Sequence, residues 1–273
     1  MLTHRCTPSR DATHTQRPFT YLTALTHHCI NPLTSPVCIF EALRTHKGRL
    51  RNPEYRIVLP ANDLRMVPAN CGAIGEMSAE GLDVALYCGR MRSYKLSGAT
   101  FIAYDDGVKP ERMPAISEGQ RLRRQMAVMS FSKSSSSHHM LMRMLVPTPR
   151  LTPEATPWTS TGAAAELLDS LRAIPLEAGS EVPPPGTNLL KLVPPQLDKD
   201  LGTLTNAFAG RALCASNKNV QLVDVSQPDE AALQVGKLRH KEFNLDFTGC
   251  ISPFQAFAAA LAVFDQSSVR RRF

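Results

Sequence analysis

The sequence lacks the marks of every common catalyst. There is no glycine-rich loop closed by lysine, no HExxH and no GxSxG, so a backbone phosphate cradle, a zinc-activated water and an elbow-held nucleophile all lack the residues to build them. Seven cysteines, Cys6, Cys29, Cys38, Cys71, Cys88, Cys214 and Cys250, form no CxxC pair and no repeated spacing. That argues against a zinc site or a disulfide framework and for a reducing compartment, the cytosol or nucleus. The histidine clusters, His27 and His28 beside Cys29 and His138 with His139, have no further ligand group at metal-binding spacing and read as loop histidines. Asp105 and Asp106 are not a working carboxylate pair, because neighbours on a strand point to opposite faces and the order DDG marks a turn. No enzyme activity, metal or cofactor is expected. Residues 1–18 are polar throughout, without the charged end and apolar run of a secretory signal. No apolar run approaches the roughly 20 residues that a bilayer crossing needs, so any membrane contact is expected to be peripheral.

What the chain does have is a hydrophobic content of 43% and a formal charge of +7. The first permits a sizeable core. The second fits an anionic partner, whether phospholipid headgroups, nucleic acid or an acidic protein, as well as a merely basic soluble protein. Twenty-one prolines against 15 glycines imply many loops and little long helix.

Start signal, periodicity and hydrophobicity agree best over 243–265, FNLDFTGCISPFQAFAAALAVFD. Phe243, Leu245 and Phe247 alternate with polar residues, which predicts a strand with one face buried. Ser252 is a good N-cap and Pro253 a good first helical residue, since proline's missing N–H would be unpaired there. From Phe254 onward Phe257, Leu261, Phe264 and the alanines between them cover every face, broken only by Gln255. A helix apolar all round is a buried helix. Twelve residues at about 1.5 Å rise give about 18 Å, too short to span a bilayer.

Elsewhere, residues 1–36 read as a poorly ordered tail holding at most one early strand near the apolar patch 19–25. Strands are expected over 37–40 and 55–59, with Arg44, Lys47, Arg49, Arg51 and Arg56 making the hairpin between them basic. An apolar run at 84–88 precedes strands near 90–94 and 99–104, then 125–131 and 140–146 around the polar loop KSSSSHH. Residues 147–195, rich in proline, read as an insertion or long connection with one short helical pattern at 163–172. Further strands are expected over 201–208, 213–215, 220–225, 232–235 and 243–247, a regular spacing that implies an all-β sandwich or barrel.

Three segments carry a resemblance. FAGRALCASNKNVQLV keeps Phe208, Gly210, Arg211, Ala215, Ser216, Lys218, Asn219 and Gln221 of a signature found in the Tubby-like proteins. The final strand and helix match at Phe243, Asp246, Gln255, Ala256, Phe257, Ala258, Leu261, Phe264 and Asp265, and GRMRSYKLSGATFIAYDDGVKP is similar to a third family segment. The chain thus resembles the Tubby carboxy-terminal domain over roughly 38–265. That implies a mainly β fold, a closed antiparallel twelve-stranded barrel around a central buried C-terminal hydrophobic helix, with domain limits at 37–267 and a basic tail at 268–273. The usual lysine and alanine-cysteine-glutamate ending is replaced here by SSVRRRF.

Tubby domains bind phosphoinositides, especially phosphatidylinositol 4,5-bisphosphate. By resemblance the motif arginine falls on Arg92, and counting back without gaps from Tyr55 places the family's basic run on Lys47, Arg49 and Arg51, with Phe40 meeting its phenylalanine. Adjacent phosphates on an inositol ring need several converging cations, and arginine supplies paired donors. Positions 47, 49 and 51 would share one face of a strand, as would Arg90 and Arg92. From charge alone these are solvated charges around a turn. A second basic run, Arg121, Arg123 and Arg124, serves the same surface, a protein partner, or is an exposed loop. The resemblance implies a non-catalytic, monomeric phosphoinositide-binding adaptor at the inner face of the plasma membrane. It would work with a trafficking-complex protein partner, in receptor trafficking into cilia or in transcription after release from the membrane. The alternative is a nucleic-acid-binding transcription regulator using the same basic groove. Only Tyr55 and Tyr94 lie near the basic cluster, whereas single-strand binders use aromatic stacking platforms.

Overall fold

In the computed structural model, residues 23–24, 40–45, 54–59, 86–94, 100–108, 122–133, 140–148, 166–175, 181–198 and 203–269 are described. The strands are β1 (Thr23–Ala24), β2 (Glu41–Thr45), β3 (Glu54–Leu59), β4 (Leu86–Ser93), β5 (Thr100–Asp105), β6 (Gln125–Lys133), β7 (Met140–Pro147), β8 (Thr187–Leu192), β9 (Gln196–Asp198), β10 (Thr203–Thr205), β11 (Val220–Asp224), β12 (Gln227–Arg239) and β13 (Glu242–Phe247). Two helices join them, α1 (Glu166–Ala173) and α2 (Pro253–Val269). Eleven strands form one sheet in the order β1-β13-β12-β11-β8-β7-β6-β5-β4-β3-β2, and β9 with β10 makes a separate ribbon. Pairing is antiparallel except for β1 on β13.

The sheet curls around α2. Phe40, just before β2, packs on Phe254 and Phe257 with ring centroids 6.1 and 5.5 Å away, while Phe243, far along the strand order, packs on Phe264 at 4.6 Å. Tyr55 of β3 donates its hydroxyl to Asp265 Oδ1 at 2.6 Å. Both ends of the sheet therefore meet one helix. Among the described residues the two edge strands, β1 and β2, do not pair with each other, so the mainly β architecture stands and the expected closed barrel of twelve strands goes beyond it.

The helix begins where the cap chemistry predicts. Ser252 N donates to Gln255 Oε1 at 2.7 Å and Gln255 N donates to Ser252 Oγ at 3.3 Å, a reciprocal capping box. The Gln255 amide then donates to the Met126 and Pro147 carbonyls at 2.9 and 3.1 Å, tying the helix start to β6 and β7. Every residue from Gln255 to Asp265 is buried. Phe257, Leu261 and Phe264 are fully enclosed and Phe254 is partly so. The helix runs to Val269, one turn beyond the expected apolar run.

Several expectations need correction. Of the strand expected at 37–40 only Phe40 lies within the described residues; it precedes β2, which starts at Glu41, and packs on α2. The described part of the run at 84–88, from Leu86, joins the strand expected at 90–94 in one strand, β4, whose register against β3 shifts between Ile57 and Val58. Gly89 sits at that shift with φ +152, and a Cβ there would lie 2.2 Å from the Tyr104 carbonyl oxygen and 2.9 Å from Phe254 Cζ. Residues 147–195 are not simply an insertion, since β8 lies in mid-sheet between β7 and β11. Its helical pattern is real: Leu167, Leu168 and Leu171 of α1, with Ile174, pack on Ile102, Tyr104, Val128, Leu145 and Leu189, the outer face of β5 to β8. Those strands are thus buried on both sides, which explains why they read as continuous apolar runs. No strand forms at 213–215. The Leu213 and Cys214 N–H groups both donate to the Lys237 carbonyl, at 2.8 and 3.1 Å, so the segment straps onto β12 without entering a ladder. Of the strand expected at 201–208, 203–205 form β10 and 206–208 lie outside any strand, while 201–202 fall outside the described residues. Within the region read as tail, Thr23–Ala24 pairs with Asn244 and Leu245.

Candidate functional site

α1 covers Ile102 and Tyr104 of β5 and reaches Tyr94 after β4 through Arg172, 5.4 Å from that ring, and alternation sorts the residues of β3, β4 and β5. Tyr55, Ile57, Met91, Phe101 and Ala103 face the core and are buried. The opposite parity brings Arg56, Arg90 and Tyr104 into one cross-strand row, and Glu54, Arg92 and Ile102 into the next. Arg90 and Arg92 thus share the outer face, as their spacing predicts. Their guanidinium carbons stand 5.8 and 5.5 Å from the centre of the Tyr104 ring, in cation–π range.

The two arginines are not equivalent. Arg90 pairs with Glu54 at 3.3 Å, its side chain is 13% exposed, and its Nε is buried without a hydrogen-bond partner. Arg92 is half-buried. Arg56 is exposed and lies directly opposite Arg90. Like charges facing across a ladder are destabilising, and among the described residues Arg56, Arg92 and Arg123 have no carboxylate partner. Tyr87, opposite Val58, is the neutral member of the group. Burial pushes its hydroxyl pKa up, against the charges of Arg90, Arg123 and Arg56.

Asp105, at the end of β5, is a turn builder. Its Oδ1 accepts from the Gly107 and Arg124 N–H groups at 3.1 and 2.9 Å, and its Oδ2 from Arg124 Nε at 2.9 Å. The basic run before β6 therefore splits. Arg124 is held by Asp105, whereas Arg123 Nε donates to the Gly107 carbonyl at 3.0 Å. Burial, and then the charge of Arg90, holds the Arg123 guanidinium below its usual pKa. Arg121, Lys47, Arg49 and Arg51 lie outside the described residues, as do the two histidine clusters.

Tyr87 and Tyr104 were not read from the sequence as members of this face, Arg56 was read only as part of the basic hairpin, and Arg123 as part of a second basic run with three readings. Alternation on β3 and β5 could have added Arg56 and Tyr104. The place of Tyr87 depends on the register shift, and the separation of Arg123 from Arg124 on the fold-back of the β5–β6 connection, where Val108 bridges Leu122; neither of these long-range features leaves a sequence signal.

The second motif region is structural. Arg211 gives Nε to Asp246 Oδ2 at 2.9 Å and Nη2 to Oδ1 at 2.7 Å, and its carbonyl accepts from Asn244 at 2.9 Å. Asn219 bridges the Cys214 carbonyl and the Lys237 N–H, each at 2.9 Å. Gln221 donates to the Ala207 carbonyl at 2.8 Å and to Gln234 Oε1 at 2.7 Å. Lys218 lies over the Phe264 and Phe243 rings at 4.8 and 5.5 Å. These residues latch the loop 206–219 onto β11, β12 and β13.

Comparison with known proteins agrees with this arrangement. The Tub family profile matches residues 72–266. Tubby-related protein 1 of Mus musculus is 32% identical over 181 residues, 66% of this chain and 32% of its own length. Tubby-related protein 2 of Mus musculus is 29% identical over 191 residues, covering 70% and 32%, and Protein king tubby 1 of Aedes aegypti is 30% identical over 181 residues, covering 66% and 40%. The chain spans about a third of the length of the first of these relatives. With the motif residues in their structural places and the profile covering most of the sheet and its central helix, the chain belongs to the Tub family.

Proposed function

We propose that the protein is a non-catalytic peripheral membrane adaptor that binds phosphoinositide headgroups, phosphatidylinositol 4,5-bisphosphate first, on the outer face of β3 and β4. The observation that carries this reading is the group of guanidiniums at Arg56, Arg90 and Arg92 on two neighbouring cross-strand rows, which has one carboxylate, Glu54, among the described residues. A ligand with several phosphates would relieve their mutual repulsion and offer each a pair of acceptors. Lys47, Arg49 and Arg51, in the connection from β2 to β3, would add charge from the same edge. Each basic residue near anionic lipid is worth about 1 kcal/mol, so four or five suffice for reversible docking.

The sheet is proposed to close into the family's twelve-stranded barrel through segments outside the described residues. Work at the cytoplasmic face of the plasma membrane follows from the ligand. A protein partner in receptor trafficking, at the cilium or elsewhere, belongs to the same proposal. Flotation with phosphatidylcholine vesicles, with and without the bisphosphorylated lipid, tests it. Binding is expected only with the lipid and should be lost when Lys47, Arg49 and Arg92 are all changed to Ala. Binding that survives the triple change overturns the site, and equal binding to phosphatidylserine vesicles of matched charge overturns the headgroup preference.

A further inference from the structure

The basic run before β6 offered three readings by sequence, and the fold separates its members. Arg124 is consumed by Asp105 in an ion pair at 2.9 Å whose carboxylate is buried. Arg123 is different. Its backbone N–H donates to the Val108 carbonyl at 2.8 Å and its Nε to the Gly107 carbonyl at 3.0 Å. Gly107 lies two residues beyond Asp105, and Asp105 is the register partner of Gly89, the neighbour of Arg90. The Arg123 guanidinium is thus brought beside β4 by main-chain bonds and carries one further donor edge. Its charge reaches the Tyr87 hydroxyl, and the charge of Arg90 reaches it. No carboxylate among the described residues pairs with it.

We propose that Arg123 is a third arm of the same anion site, set against Arg56 and Arg92, with the Tyr87 hydroxyl as a neutral donor between the arms. Arg90 is then a positioning residue. Anchored by Glu54 and by the Tyr104 ring, it keeps its neighbours apart and lends charge without needing to release its carboxylate. Such a site would draw its cations from three elements, β3, β4 and the β5–β6 fold-back. Several cations suit an inositol ring phosphorylated at more than one position better than a single phosphate.

This inference rests on the phosphoinositide reading, and the experiment distinguishes the two. The full chain and its Arg123→Gln, Arg123→Lys, Arg124→Gln and Arg92→Gln forms are titrated with phosphatidylcholine vesicles carrying phosphatidylinositol 4,5-bisphosphate, with phosphatidylserine vesicles of matched charge alongside. Free inositol 1,4,5-trisphosphate serves as competitor. Arg123→Gln should weaken bisphosphate-vesicle binding about fivefold, as should Arg92→Gln, with Arg124→Gln changing it less than twofold. Arg123→Lys keeps the charge without the forked donor and should fall between wild type and Arg123→Gln. It also covers the case in which Arg123→Gln loosens the fold-back, because a melting temperature equal to wild type validates its binding value. Equal effects of Arg123→Gln and Arg124→Gln overturn the third arm while the lipid reading stands. A wild-type chain with no preference for the bisphosphate vesicles overturns the lipid reading itself. Soluble trisphosphate that binds without competing with vesicles would overturn the assignment of this face to membrane lipid.

Discussion

Arg211, in the loop laid over β12 and β13, gives two donors to one carboxylate at 2.9 and 2.7 Å, and its neighbours Asn219 and Gln221 finish the latch. Arg92, on the outer face of β4, meets the Tyr104 ring at 5.5 Å and no carboxylate among the described residues. Both arginines come from motif segments, and a count of charge treats them alike. Their surroundings differ: one neutralises a carboxylate inside the fold, while the other has none among the described residues, as the proposed lipid site requires. Arg143 belongs with the first kind, since it donates to the Ile174 and Pro175 carbonyls at 3.0 and 3.3 Å, just past the end of α1, where a cation is favoured. Arg56 and Arg123 belong with the second.

The most drastic way to break this contrast is to remove the support common to both regions. Phe257, buried against Phe40 on α2, changed to Asp would place an unpaired charge inside the curled sheet at a cost of several kcal/mol. We expect no soluble folded protein, judged by yield and far-ultraviolet circular dichroism. A folded variant would mean that the helix is not central. Next in size is Gly89→Ala. The added Cβ would meet backbone at 2.2 Å and sit at φ +152, so a loss of about 3 kcal/mol is expected in urea unfolding. Because Gly89 touches Phe254 inside and adjoins Arg90 outside, this variant should lower lipid binding as well, linking the two regions.

Much of the fold was legible. The helix start came from Ser252 and Pro253, whose capping chemistry is local, and strands β3, β5, β6, β7, β11 and β13 came from apolar runs and turn residues. What sequence could not supply was long-range. The leucines of α1 were visible as a short helical pattern, yet nothing local says that they cover the outer face of β5 to β8. β8 hid among prolines because TNLLKL lacks alternation, its Thr187, Leu189 and Leu190 all being buried. The proposed binding face was half legible. The parity of Arg90 and Arg92 follows from spacing, while their alignment with Arg56 and Tyr104 needs the register, and the division between Arg123 and Arg124 depends on which one Asp105 reaches.

Removing Asp246 sharpens the contrast from the structural side. Asp246→Ala leaves Arg211, partly enclosed, without its paired acceptor. Charge-assisted bonds of this kind are worth about 1.5–3 kcal/mol each way, and the exposure of the Arg211 side chain, 35%, brings screening that discounts the figure. A destabilisation of about 2 kcal/mol is expected by urea unfolding, with Asp246→Asn falling between. Vesicle binding measured well below the unfolding midpoint should be unchanged. Loss of lipid binding in a folded Asp246→Ala chain would show that the latch and the basic face are coupled.

The smallest effect on stability is the most telling. Arg92→Ala removes a half-buried guanidinium from a face where Arg56 and Arg90 already repel each other, so the lost cation–π contact with Tyr104 is offset by relief of like charge. Stability should stay within about 0.5 kcal/mol of wild type. Bisphosphate-vesicle affinity should nevertheless fall about fivefold. If the same change instead costs as much stability as Asp246→Ala and leaves vesicle binding intact, Arg92 is a structural arginine like Arg211, and the outer face of β4 is part of the fold and not a binding surface.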